Sequence, residues 1–139
     1  MSGPNIDYVY LLRYSHIVDR FRVKKPSQKI IPAAFYCTET GTEPVREWLK
    51  GLSVEDRRII GTDIRTVEFG WPVGMPVCRP MGHGLFEVRV TLTGKRIARI
   101  LFCIHEGTMV LLHGFVKKTN KTPDGDLALA LKRKAEVER

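Results

Sequence analysis

The sequence predicts an α+β domain: a strand, a helical hairpin, an antiparallel β-meander and a last helix. Three observations lead there. Apolar residues recur at helical spacing through 44–70, alternate with polar ones through 85–117, and return to helical spacing after Pro123. Glycine and proline clusters separate these stretches, which sets the boundaries. At 139 residues the chain suits one domain with a single sizeable core.

Ala33–Thr38 is a short apolar, aromatic run suited to a strand. Pro44 opens the first helix at a position where its missing N–H costs nothing, and Gly51 suits the helix end. Val45, Trp48, Leu49 and Leu52 recur on one face. Ser53 caps a second helix, with Glu55 and Asp56 at the positive end of its dipole. Ile60, Ile64 and Val67 stripe that helix, and Gly70 closes it. The stretch from Gly70 to Gly84 is rich in glycine and proline and is expected to be an irregular loop, with Trp71 as a packing anchor.

Three strands follow, joined by turns at Thr93-Gly-Lys95 and Glu106-Gly107. Phe86, Val88, Val90 and Leu92 share one face of the first, and Ala98, Ile100, Phe102 and Ile104 one face of the second. In the third, Val110, Leu112, Gly114 and Val116 are expected together, opposite Leu111, His113, Phe115 and Lys117. If the more apolar faces pack on the helices, Arg89, Arg99, His113 and Lys117 share an open face. Thr122-Pro123 then reads as the capped start of the last helix, with Leu127, Ala130 and Leu131 as its apolar stripe. Residues 1–31 are read as an N-terminal extension, either disordered or arising from a start codon set too far upstream, and 32–139 as the domain.

Hydrophobic content of 43% with 27% charged residues is ordinary for a globular protein. No run is long and apolar enough for a membrane span, and residues 1–30 lack the apolar centre of a signal peptide. The three cysteines, Cys37, Cys78 and Cys103, are widely spaced, which argues for free thiols in a reducing cytoplasm. The net charge of +8 is uneven: +4 over 1–34, −2 over 35–78, +6 over 79–121 and zero over 122–139. A basic excess on one sheet suggests a polyanionic partner, with a solvated basic surface as the plain alternative.

The four histidines have no ligand spacing and no acid cluster suits a two-metal site, so neither metal nor cofactor is expected. What remains is a cationic set. RNA carries its own nucleophile, the 2′-OH. A ribonuclease therefore needs only to align it, take its proton, stabilise the phosphate oxygens and protonate the leaving group. Arginine forks suit the charge stabilisation, and a His or Lys crowded by cations suits the proton transfer. His113 fits that description, and so does a purely structural strand histidine. Lys117 and Lys118 could equally guard a sheet edge, and Arg89 could pair with Glu87.

The runs Pro44-Val-Arg-Glu-Trp-Leu49, Phe69-Gly-Trp-Pro-Val-Gly-Met-Pro76, Gly84-Leu-Phe-Glu-Val-Arg89, Arg96-Ile-Ala-Arg-Ile-Leu-Phe102 and Leu111-Leu-His-Gly-Phe-Val-Lys-Lys-Thr-Asn-Lys-Thr-Pro123 closely resemble HigB-like toxins, a phage-associated branch of the RelE/ParE toxin superfamily. The resemblance spans roughly residues 35–137. It implies a RelE-like α+β fold and a cytoplasmic, ribosome-dependent mRNA endonuclease of a type II toxin–antitoxin pair. Such an enzyme cuts without metal by 2′-OH attack. It implies catalytic roles for Arg99, His113, Lys117 and Lys118, and RNA contacts from Arg89, Lys95, Arg96 and Lys121. The implied partners are the ribosome, mRNA and a HigA-like helix-turn-helix antitoxin. The chain lacks the tyrosine that RelE carries after its final strand, which leaves the general base open. A ParE-like inhibitor of DNA gyrase and a non-catalytic RNA- or protein-binding domain are the alternatives.

Overall fold

The computed structural model describes residues 28–117 and 122–139. In chain order it contains β1 (Ala33–Phe35), α1 (Pro44–Lys50), α2 (Val54–Gly70), β2 (Cys78–Gly82), β3 (Leu85–Thr91), β4 (Ile97–His105), β5 (Thr108–Lys117) and α3 (Asp124–Val137). One five-stranded sheet has the order β1-β5-β4-β3-β2. β1 runs parallel to β5, and every other pair is antiparallel. The expected α+β class, hairpin, meander and last helix are all present. The Glu106-Gly107 turn takes positive φ at both residues, the geometry that matches the twist of a two-residue hairpin.

The helical hairpin covers one face of the sheet. Val45 and Leu49 of α1 and Ile60, Ile64 and Val67 of α2 form one core with Val88, Val90, Ala98, Ile100 and Phe102. All are essentially inaccessible, and each large one contributes about 1.5–3 kcal/mol by leaving water. Ser53 caps α2 as expected, its hydroxyl accepting from the Asp56 amide at 3.1 Å. Trp71 packs edge-on against Phe86 and Phe102. Trp48 of α1 lies so close over Gly114 that a Cβ there would meet its ring at 2.4 Å, so the strand needs glycine at that point.

Two expectations change. The stretch 70–84 is not wholly irregular, because Cys78–Gly82 forms β2. Pro80 is tolerated there because β2 is an edge strand, and a bulge at Pro80/Gly82 shifts its register before the last pair, Gly82 with Leu85. In β5, the register shifts opposite Leu101/Phe102, where Leu112 is the extra residue. Met109 and Leu111 therefore join Gly114 and Val116 on the hairpin side, while Val110 and Leu112 turn to the other face. Uniform alternation through 109–116 was the wrong assumption.

Residues just ahead of β1 pack on the domain. Ile31 is buried, the Ile30 and Ile31 amides donate to the Glu68 carbonyl, and the buried Glu68 carboxylate accepts from the Ala33 amide at 2.7 Å. Residues 1–27 of the expected extension lie outside the described residues.

Candidate functional site

The second sheet face divides along its length. At one end Leu85, Leu101, Cys103, Val110 and Leu112 form a second core with Ala130, and Leu127 and Leu131 of α3 pack against it. At the other end the strand register builds two polar rows. Arg79, Glu87, Leu101 and His113 lie side by side across β2, β3, β4 and β5. One step along, Arg89, Arg99 and Phe115 are neighbours across β3, β4 and β5, and Lys117 follows beside Ile97.

Arg99 and Glu87 are both fully buried, with Arg99 Nη1 donating to Glu87 Oε1 at 2.9 Å. Arg79 Nη2 donates to the same oxygen at 3.0 Å, and the Thr122 hydroxyl donates to Glu87 Oε2. Thr122 is itself 3.5 Å from Arg99 Nη1. The face is therefore not open at Arg99. Thr122, just ahead of α3, closes over it, because a buried guanidinium needs a carboxylate and that carboxylate also holds the threonine. Thr122 is thus not a helix cap. Pro123 occupies the cap position without a side-chain bond, and the hydroxyl serves the ion pair instead.

His113 sits 2.6 Å, through Nε2, from Asp126 Oδ1 in the first turn of α3. Both side chains are largely covered, at 17% and 22% exposure. The Phe115 ring stacks on the imidazole with centroids 5.4 Å apart. Arg89 is half-buried and Lys117 exposed, on the same face. The structure thus brings Arg89, Arg99, His113 and Lys117 together, but encloses Arg99 and gives His113 an acidic neighbour. Lys118 and Lys121 lie outside the described residues.

Lys95 and Arg96 stand apart in the β3–β4 turn. Lys95 is exposed at positive φ. Arg96 grips Asp56 of α2 with two bonds, 2.7 and 3.0 Å long. Those hydrogen bonds hold the Asp56 carboxyl below its ordinary range despite burial. Arg96, expected as an RNA contact, thus has its guanidinium engaged in fastening the meander to the hairpin.

Thr122, Asp126 and Arg79 were not among the expected site residues, and Glu87 was expected only as a possible partner of Arg89. A signal did exist for Glu87, one of only two acids in the basic stretch 79–121 and on the same strand parity as Arg89. Asp126 had none, because helical periodicity alone does not say where the first turn of α3 lands. Chemically, the cluster pairs an imidazole with a carboxylate beside several guanidiniums. Such a site can hold an anion and move a proton. Among the described residues no three His, Cys, Asp or Glu side chains gather as a metal site, and no helix is long and apolar enough to cross a membrane.

A helical hairpin on one face of a mostly antiparallel five-stranded sheet, with a C-terminal helix on the other, defines a mixed α+β domain consistent with the RelE-like fold. Residues 47–135 match the family described as "Phage derived protein Gp49-like (DUF891)". The chain belongs to that family, which is toxin-like and related to RelE/HigB-type toxins. No curated protein and no solved structure matches it significantly.

Proposed function

We propose that this protein is the toxin of a type II toxin–antitoxin pair and acts as a metal-independent endoribonuclease on mRNA in the translating ribosome. The observation that carries the reading is the His113–Asp126 pair, set beside arginines and Lys117 on one sheet face of a Gp49-like domain.

With Asp126 ionised and accepting from Nε2–H, the Nδ1 lone pair of His113 is the one left to accept a proton. His113 takes the 2′-OH proton as that oxygen attacks the adjacent phosphorus. The bond to the 5′ oxygen breaks, leaving a 2′,3′-cyclic phosphate and, once protonated, a 5′-hydroxyl. Arg89 and Lys117 stabilise charge on the phosphate oxygens. Asp126 is a positioning residue that fixes the imidazole tautomer. Arg99 acts by holding Glu87 and Thr122, and with them the start of α3, because an enclosed guanidinium has no route to phosphate. A helix-turn-helix antitoxin of the HigA type would be the neutralising partner.

The test is a translation assay with purified ribosomes. His113→Ala should lose cleavage by about 10²–10⁴-fold, the usual worth of a general base. Asp126→Asn should lower the rate and change its pH profile. Cleavage by His113→Ala at the wild-type rate would remove the assignment. Inhibition of gyrase supercoiling with mRNA intact would favour the gyrase reading instead.

A further inference from the structure

Within the polar cluster one carboxylate oxygen is shared by two arginines. Glu87 supplies one carboxylate, and its Oε1 accepts from both Arg99 and Arg79. One negative charge thus faces two guanidiniums. Arg99 and Glu87 are fully enclosed, so that pair cannot separate without leaving a buried charge exposed to an apolar interior. Arg79 differs. Its side chain is 31% exposed, on the edge strand β2, and a single hydrogen bond through Nη2 ties it to Glu87. Its Nε is itself enclosed and has no hydrogen-bond partner among the described residues, so what the side chain offers to solvent lies toward its Nη end.

We infer that Arg79 is a phosphate-binding residue and supplies the exposed guanidinium contact that Arg99, being enclosed, does not make. The inference rests on the reading of this face as an RNA site and adds the backbone contact at its β2 end. Arg79 lies in one cross-strand row with Glu87 and His113, and the other row carries Arg89. A phosphodiester reaching this edge meets a partly exposed guanidinium held by one hydrogen bond, and once turned outward its planar fork suits two parallel bonds to phosphate oxygens. Binding it asks little of the fold, because Glu87 keeps Arg99 and Thr122 when Arg79 turns outward. The two arginines on one carboxylate therefore divide the work. Arg99 makes the structural pair, and Arg79 presents its positive charge at the surface.

The experiment measures binding of a single-stranded RNA oligonucleotide, 2′-deoxy substituted so that it cannot be cut, to the full-length chain over a salt series. Arg79→Gln should weaken binding about ten-fold, as loss of a charge-assisted contact does. It should also lower the slope of log affinity against log salt by about 0.7, one phosphate's worth for a single strand. Arg79→Lys should restore the slope while recovering only part of the affinity. Urea midpoints equal to wild type in both variants would tie the loss to the contact rather than to folding. Wild-type affinity and slope in Arg79→Gln would overturn the inference while leaving the RNA site standing. Absence of any salt-sensitive RNA binding by the wild type would remove the site itself, and the inference with it.

Discussion

Removing the carboxylate of Glu87 should harm this protein more than removing the arginine it faces. In Glu87→Ala, Arg99 stays enclosed and charged but loses the carboxylate that accepts from its Nη1 at 2.9 Å. Stripping the counter-ion from a buried pair costs about 3–5 kcal/mol. Arg79 adds little, because its partly exposed side chain can turn to water. In Arg99→Met the situation reverses. Glu87 keeps Arg79 at 3.0 Å and the Thr122 hydroxyl, and methionine fills most of the vacated volume, so the loss should be about 1–2 kcal/mol. Combining Glu87→Leu with Arg99→Met should recover most of the stability, as apolar replacement of buried pairs often does. Urea denaturation of the single variants and the double variant would measure the three values, provided the m-values stay constant. Equal losses in the two single variants, or a loss below about 1 kcal/mol for Glu87→Ala, would refute the reasoning.

Three further predictions concern the frame around the site. Gly114→Ala should cost about 1–3 kcal/mol, because its Cβ would lie 2.4 Å from the Trp48 ring, and Trp48→Leu should relieve most of that loss in a double-mutant cycle by thermal unfolding. Arg96 depresses the Asp56 pKa, so this carboxylate contributes stability above the unfolded carboxylate range that is lost as pH falls through the folded value. The stability difference between wild type and Asp56→Asn, measured by urea unfolding, should therefore be full near neutrality and shrink in acid. Burial and the Glu136 hydrogen bond push the Tyr36 phenol up to about 12, so its contribution is intact below about pH 10 and lost as pH rises toward 12. Tyr36→Phe should lose that alkaline dependence in the same assay.

The sequence made the fold legible wherever one residue's role depended on its near neighbours. Ser53 ahead of Glu55 and Asp56 is enough to place the start of α2, and the 3.6-residue spacing of Ile60, Ile64 and Val67 is enough to give its buried face. Alternation likewise placed Phe102 and Ile100 on the hairpin side. It failed in β5, because a bulge at Leu112 costs one residue of register and leaves no mark in a run as uniformly apolar as Met109–Leu112. The site was legible as a set of cations on one parity, and Arg89, Arg99, His113 and Lys117 do share that face. What could not be read was the other half of the chemistry. Whether a strand arginine is exposed depends on what lies over it, and the cover comes from Thr122, 23 residues later. Asp126 reaches His113 through the packing of α3, a tertiary fact that no local pattern contains.

The most direct measurement is to express the protein and map the ends of cellular mRNAs as growth stops, with His113→Ala alongside. Cuts within translated frames that carry 5′-hydroxyl and 2′,3′-cyclic phosphate ends are expected, and their absence in the variant. Growth arrest with intact mRNA, ends bearing a 5′-phosphate, or unchanged cutting by His113→Ala would contradict the proposed function.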